Sequence, residues 1–465
     1  MITYIYINGF KSFCNFEMYF SPYTVIAGTN ASGKSNLFDA IRLLSRLARG
    51  RNIHAALRNW RGDENEVFTL FTDSEGNEIR TSKITIKVDM LVDKKQYDSW
   101  GENVDLETTR LRYEIELSQD GAPEGNVSIT HEALLPIYKK DDIWASYYKL
   151  DKGSNWLTIK GRSQRKAFLY YDINDEKEKN WAEIYDASGK TREVRIIKSD
   201  KSLLSKFDDI EYPHLSAARK EMSNWHYMQF NPSDLRLPSD TTFGANITPT
   251  GRQLASTVNH LKKEDPYNLT IINRLVNEFL PNFTSIDVVP DEDNKRLVLK
   301  VKDRNGAEFS SLLLSEGTLR IITLCVLTVD KDFNGLLCFE EPENGIHPFR
   351  LYAMAKLMHK FATNFKEPVH SLRQVIVNSH SPLFVELSRE TDKTYSSFNM
   401  SRMVTHITKI KDKRIKVEAT RIVPILEEGQ KPIGEISENE AKKASVTAKE
   451  FLNYMIGPNK EENKL

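Results

Sequence analysis

Eight residues constrain this chain more than any others. Gly28-Thr29-Asn30-Ala31-Ser32-Gly33-Lys34-Ser35 fits the pattern GxxxxGK[ST]. A loop of this kind wraps its backbone N–H groups around a polyphosphate, and a glycine at each end lets the backbone come close. The flanks agree. Tyr23-Thr24-Val25-Ile26-Ala27 is a short apolar run between Pro22 and Gly28, and it reads as a buried strand. From about Lys34, the residues Leu37, Phe38, Ile41, Leu44 and Leu47 fall on one helical face. A helix starting there adds its positive dipole end to the loop. Lys34 then reaches the β- and γ-phosphates, and the Ser35 hydroxyl binds Mg²⁺. A plain Gly/Ser turn before a helix would share some letters but would not need this flanking order.

A second apolar run, Leu336-Leu337-Cys338-Phe339, ends in Glu340-Glu341. Two acids at a strand end give phosphoryl transfer to water its two needs, a metal anchor and an acceptor that orients the attacking water. Glu340 takes the first role, directly or through water, and Glu341 the second. Two solvated acids would look the same in isolation; the loop at Gly28 favours the chemical reading. Leu314-Ser315-Glu316-Gly317-Thr318 precedes this strand, and Ser315, Gly317 and the helix start after them can present donors to an anion. Ser315 is equally a plain N-cap, and both readings hold together. Asn378-Ser379-His380-Ser381-Pro382 ends the next apolar strand, Gln374-Val375-Ile376-Val377. The carboxyl edge of such a sheet is where ligands bind, so His380 can meet the γ-phosphate or the water.

The rest of the 465-residue chain sets the frame. Lys plus Arg (65) equals Asp plus Glu (65), which excludes a wholesale polycation but not a local basic groove. Cys14, Cys325 and Cys338 form no CxxC pair, which argues against a zinc site or a disulfide framework and suits a cytoplasmic location. No apolar run approaches the roughly 20 residues of a membrane span. Tyr4–Ile7 suggests an opening strand. Residues from Glu66 to Arg195 read as antiparallel sheet with one wet face, including strands at Val67–Phe71, Ile84–Val88 and Leu111–Leu117. Helices return after Lys201. Thr250 to Gln253 has capping-box spacing, and Asp265-Pro266 starts a further helix. Strands near Phe283–Val289 and Arg296–Val301, and a helix from Phe349 to Phe361, follow. Thr405–Val417 reads as a hairpin and Glu435–Tyr454 as a short helix.

The motif order resembles the ATP-binding-cassette ATPases of the SMC, RecF and OLD-nuclease branch. Asn8-Gly9-Phe10-Lys11-Ser12-Phe13 is similar to that branch's opening strand, and Leu314-Ser315-Glu316-Gly317-Thr318 to its signature. Glu340-Glu341-Pro342-Glu343-Asn344-Gly345-Ile346-His347-Pro348 resembles a compact bacterial subgroup of AAA family ATPases. Trp225 to Pro232 also has a familiar look. The resemblance implies an α/β ATPase head with a mixed sheet. It implies a lobe with the phosphate-binding loop (1–75), a β-rich insertion (76–200), a helical subdomain (201–282), a lobe with signature, acidic strand and His strand (283–420), and a tail with a short helix (421–465). It further implies ATP and Mg²⁺ as cofactors, held between two copies of the chain. Gly28, Asn30, Gly33, Lys34, Ser35 and Asn36 would hold the nucleotide, with Ser35 and Glu340 on the metal and Glu341 and His380 in catalysis. Lys11 and Phe13 would lie near the base and phosphates. Ser315 and Gly317 would reach the γ-phosphate held by the other copy, and Asn344 would belong to the cross-dimer loop. Glu340 stands where most cassette ATPases have Asp, and SEGT replaces SGGQ.

Three functions follow from the resemblance. The first is an ATPase that controls a nuclease or other effector supplied by another chain, as in Septu-like anti-phage defence. Only about 85 residues follow His380, few for a Toprim nuclease, which favours an effector in trans. The second is a RecF-like repair or chromosome-maintenance ATPase, with Arg58, Arg61, Arg162, Arg165 and Lys166 serving a nucleic-acid groove. The third is a slow ATP-dependent clamp, suggested by Glu340 in the metal position.

Overall fold

The structure is a computed structural model. It describes residues 1–58, 64–73, 75–97, 100–120, 126–150, 156–158, 167–175, 180–196, 199–240, 244, 246–291, 293–367, 371–410, 413–426, 430–434, 446–447 and 451. The chain forms two compact units. The first takes residues 1–21, 28–225 and 399–465, and the second takes 22–27 and 226–398.

The first unit holds an eight-stranded antiparallel sheet in the order β13-β12-β11-β10-β9-β6-β1-β2. Its strands are β1 (Ile2–Asn8), β2 (Phe16–Tyr19), β6 (Lys83–Leu91), β9 (Arg110–Gln119), β10 (Val127–Pro136), β11 (Leu169–Asp172), β12 (Trp181–Tyr185) and β13 (Thr191–Arg195). Alternation sets the faces. Tyr113, Ile115 and Leu117 of β9 are buried, while Arg112, Glu114 and Glu116 are part-exposed. On that wetter side the strands are laced by charge. Lys87 stands opposite Glu114 at 3.1 Å, and Arg112 opposite Asp89 at 2.6 Å. Such cross-strand pairs are each worth roughly 0.2–1 kcal/mol.

Helix α1 (Lys34–Ala48) buries the expected stripe and packs against α4 (Pro213–Ser223). Short helices α2 (Ile53–Leu57) and α3 (Ile143–Tyr147) are capped by the side chains of Asn52 and Asp142. β21 (Ser396–Ile410) and β22 (Lys413–Leu426) make a hairpin from Asn399 onward, longer than the expected Thr405–Val417. β4 (Leu70–Asp73) joins β22, and β5 (Glu78–Arg80) joins β4. β7 (Lys95–Tyr97) pairs only with β8 (Asn103–Asp105) among the described residues.

Two local expectations are corrected here. The strand expected at Val67–Phe71 is a 3-10 turn, Glu64–Val67, and then β4 from Leu70. The tight turn after β1 has already taken the backbone there: Lys11 N donates to Val67 O at 2.6 Å, and Thr69 N to Gly9 O at 2.9 Å. Most of the helix expected at Glu435–Tyr454 lies outside the described residues. The described Val446–Thr447 form β23, parallel to β22.

The second unit holds the parallel strands β3 (Tyr23–Ala27), β20 (Arg373–Ser379) and β19 (Gly335–Glu340), with β14 (Trp225–Met228) beyond β19. All of β3 and β19 is buried, as continuous apolar runs require in a parallel sheet. A smaller antiparallel sheet contains β15 (Ser239–Asp240), β16 (Phe283–Asp291), β17 (Arg296–Asp303) and β18 (Glu308–Ser310). The helices are α5 (Pro232–Arg236), α6 (Leu254–Glu264), α7 (Pro266–Phe279), α8 (Glu316–Val329), α9 (Pro348–Phe361) and α10 (Pro382–Arg389). Asp265 caps α7 through Tyr267 N, as its Asp-Pro start requires. The capping box at Thr250 is not formed. Thr248 closes a turn onto Gly251 N and Arg252 N, Gln253 sits at φ 70°, and α6 begins only at Leu254. No described helix is long and apolar enough to cross a membrane.

Candidate functional site

The loop half lies in the first unit. Gly33 has φ 88°, the left-handed region, and a Cβ there would come within 1.8 Å of Thr420 Oγ1. At Gly28 a Cβ would meet Ser401 O at 2.5 Å. The two glycines therefore let the loop press against β21 and β22. Ser401 Oγ fixes it by donating to Ser32 O at 2.8 Å. Lys34, at 4% exposure, donates through Nζ to Gly28 O and Thr29 O, both at 2.7 Å, and lies 3.3 Å from Ser32 Oγ. Its ammonium is thus folded back over the loop's own carbonyls. Asn30 is exposed, and Ser35 and Asn36 are part-exposed in the first turn of α1. That turn has no acidic residue and no side-chain cap. Its N–H groups and dipole end therefore remain favourable to an anion.

The Asn8–Phe13 stretch supports this loop from below. Ser12 Oγ lies 2.6 Å from Thr420 Oγ1 and accepts from Asn36 Nδ2 at 2.7 Å. Lys11 reaches Asp39 on α1 at 2.5 Å. Phe13 is fully buried and packs on Phe16, with ring centroids 4.5 Å apart. It is a core residue of its unit. Ser12 and Thr420 brace the loop, and no local pattern marks either for that task. A hydroxyl two residues before the core Cys14 carries no periodic signal, and Thr420 lies far along the chain.

The acidic half lies in the second unit. Glu340 ends β19 at 6% exposure, and Tyr227 of β14 donates its hydroxyl to Glu340 Oε2. Asn378 of β20 stands opposite Glu340 in register, with Nδ2 3.5 Å from Oε1. Glu341 leaves the strand at φ 48°, a left-handed backbone that costs a non-glycine residue about 1–3 kcal/mol. Its N–H donates to Asn378 O at 2.8 Å, which holds the kink. Both oxygens of Glu341 are engaged. His380 Nε2 meets Oε1 at 2.7 Å, and Asn344 Nδ2 donates to Oε2 at 2.5 Å. A carboxylate offers about four acceptor positions, so room remains for a further donor.

Glu343 sets His380 in place. Its Oε1 accepts from Ser379 Oγ at 2.7 Å, His380 N at 2.9 Å and Ser381 N at 3.2 Å. In the sequence Glu343 is marked only by its place in the Glu340–Pro348 motif, and Tyr227 only by its place between Trp225 and Pro232. Polar residues closing an apolar strand, Asn378-Ser379, were the available signal for the first.

The signature segment starts α8. Ser315 caps it by accepting from Thr318 N at 3.3 Å, and Arg350 Nη1 donates to Thr318 Oγ1 at 2.6 Å. Gly317 lies against the turn after the acids: a Cβ there would touch Gly345 O and Ile346 Cα at 3.5 Å. Gly345 in turn has φ 71° and faces the Glu316 carboxylate. Ser315, Gly317, Glu341, Asn344 and His380 thus belong to one packed assembly within the second unit.

Taken separately, the loop of the first unit suits a polyphosphate, and the carboxylates ending β19 in the second suit a divalent cation. Two glycines let the loop lie close against β21 and β22, a lysine is folded over it, and the buried Glu340 lies 3.5 Å from Nδ2 of Asn378, the amide that also carries Oδ1. That atom is buried and unpartnered among the described residues.

The fold and these motifs are those of an ATPase domain. Residues 1–385 match the AAA ATPase domain family, to which the chain belongs. Among solved structures, it is similar to an SMC head bound to the C-terminal winged-helix domain of ScpA. That similarity has 11% identity, covers 92% of this chain and 98% of that one, and gives a TM-score of 0.50. The SMC head domain from Thermotoga maritima matches with 13% identity, 92% and 99% coverage and a TM-score of 0.41. No curated protein matches the chain in sequence.

Proposed function

We propose that this chain binds ATP on the Gly28–Asn36 loop and hydrolyses it as a dimer, and that this cycle controls an effector carried by another chain. The observation that carries hydrolysis is the carboxylate of Glu341, held at both oxygens by His380 and Asn344. Lys34 exchanges the loop carbonyls for the β- and γ-phosphates, and the first turn of α1 binds the same charge through its N–H groups. Ser35 and Glu340 hold the cation; bound Mg²⁺ supplies the charge that neutralises the phosphates. Glu341 accepts a hydrogen bond from the attacking water through its remaining acceptor positions, and His380 fixes that carboxylate.

Dimerisation rests on Ser315 and Gly317. They open α8 as an anion-binding turn, and the resemblance assigns that turn to a neighbour's γ-phosphate. Mixing Ser315→Arg chain with Lys34→Ala chain tests it. Confirmed heterodimers should recover hydrolysis from one intact composite site, and heterodimers without recovery contradict the proposal. Control of an effector in trans, with anti-phage defence of the Septu kind as the setting, rests on the resemblance. The SMC head bound to a ScpA domain adds that a head of this fold can seat a partner chain. Phage challenge of strains that carry the native chain or Glu341→Gln within the native gene neighbourhood tests the setting. Equal protection by both strains would contradict it.

The slow-clamp reading keeps one observation in its favour: Glu340, one methylene longer than Asp, is already bonded to Tyr227. Steady-state phosphate release decides between the two. For the RecF-like reading, Arg61, Arg162, Arg165 and Lys166 lie outside the described residues, and Arg58 is exposed at the end of α2.

A further inference from the structure

Tyr227 belongs to the Trp225–Pro232 segment, which the proposed chemistry leaves without a task. Strand β14 lies beside β19, and this brings the Tyr227 hydroxyl onto Oε2 of Glu340. On the other side of β19, register places Asn378 of β20 opposite the same residue. Asn378 is 1% exposed, with Nδ2 3.5 Å from Oε1 of Glu340 and its own Oδ1 unpartnered among the described residues. Each oxygen of the carboxylate meets a donor: the Tyr227 hydroxyl on Oε2 and, at 3.5 Å, the Asn378 amide nitrogen on Oε1.

A glutamate has one more rotatable bond than the aspartate usual at this position, so its carboxylate can turn through more rotamers. A cation ligand must instead present one oxygen in a fixed direction, and outer partners commonly provide that direction. A carboxylate oxygen suits a hard divalent cation. We infer that Tyr227 is a positioning residue: its hydroxyl pins Oε2 so that Oε1 of Glu340, with Asn378 beside it, faces the cation. The inference rests on the reading of Glu340 as the cation anchor. It gives the long glutamate side chain a fixed direction, because the phenol restrains its terminal carboxylate.

The test reads metal dependence of binding rather than turnover. Binding of a fluorescent, non-hydrolysable ATP analogue is titrated with Mg²⁺ from metal-free buffer. Tyr227→Phe should move the Mg²⁺ midpoint upward about tenfold, the usual size of an outer-partner effect. Affinity for the analogue without metal, and the thermal unfolding midpoint, should stay at native values. In a Glu340→Gln background, Tyr227→Phe should add nothing. An unmoved midpoint, or a shift of the same size in the Glu340→Gln background, overturns the inference. A native chain whose nucleotide affinity ignores Mg²⁺ overturns the anchor reading of Glu340 itself, while metal-free binding still reports on the loop. Should Tyr227→Phe fail to fold, 3-fluorotyrosine at position 227 keeps the question open to measurement. Its ¹⁹F resonance should move when Mg²⁺ is added to the nucleotide-bound chain and stay fixed in Glu340→Gln. A resonance indifferent to Mg²⁺ in both overturns the inference.

Discussion

His380 Nε2 lies 2.7 Å from Oε1 of Glu341, the residue whose backbone turns left-handed at the end of its strand. The fold maintains a strained φ of 48° to deliver this carboxylate to the histidine. That strain, opposed by the hydrogen bonds around it, supports the role proposed for Glu341.

Glu341→Gly relieves that strain, because glycine enters the left-handed region without a Cβ penalty. We expect a gain in stability on the order of 1 kcal/mol, with hydrolysis lost. Chemical denaturation and phosphate release on the same preparation check this. A clear loss of stability would show that the side-chain contacts of Glu341 outweigh its backbone cost.

Glu343→Ala removes the acceptor of Ser379 Oγ, His380 N and Ser381 N. Hydrogen bonds to a charged acceptor are worth about 1.5–3 kcal/mol each, so stability should fall by roughly 3 kcal/mol once solvent replaces part of the loss. Because His380 loses its anchor, hydrolysis should fall further than stability explains, while nucleotide affinity stays within about threefold, under 1 kcal/mol. Affinity lost in step with hydrolysis would remove the special role given to Glu343.

Gly33→Ala meets two obstacles, the positive φ and Thr420 Oγ1 at 1.8 Å. It should cost well beyond the roughly 1–2 kcal/mol of left-handed strain, and nucleotide affinity should fall at least about tenfold, or 1.4 kcal/mol. Thr420→Gly removes both of the nearest atoms, so the double variant should recover part of the loss but not the strain. Equal affinities in the single and double variants would contradict the steric account.

His131 gives the first unit a pH-dependent element. Burial opposes its charged form, but Glu114 and Asp172, 3.8 and 3.4 Å away, outweigh it and raise its pKa above the usual 6.5. A raised histidine adds stability that is complete below its unfolded value and is lost as pH climbs through the folded one. Unfolding midpoints should therefore decline as pH rises above about 6.5, by on the order of 1 °C for a chain of this size. His131→Gln should flatten that part of the curve. A native profile unchanged by the substitution would refute the assignment.

Much of the framework around the motifs was legible because it sits where periodicity changes. The Tyr23–Ala27 strand, the loop, and the α1 stripe from Leu37 to Leu47 are local patterns, and each formed as read. The parallel strands at Gly335 and Arg373 were equally plain as apolar runs. What stayed hidden depends on pairing between distant segments. Thr420 meets Ser12 across 408 positions, and Tyr227 meets Glu340 across 113. No spacing rule announces such contacts. The misread segments failed for a related reason: Thr248 and the Gly9–Phe13 turn claimed backbone groups that local pattern assigned to a helix cap and a strand.

The most direct measurement is phosphate release by Glu341→Gln chain, taken with ATP affinity on the same sample. The amide keeps the shape but loses the charged acceptor, so affinity should match the native chain while turnover falls by about 10²–10⁴-fold. Turnover at the native rate would contradict the account, because some group other than Glu341 would then be orienting the water.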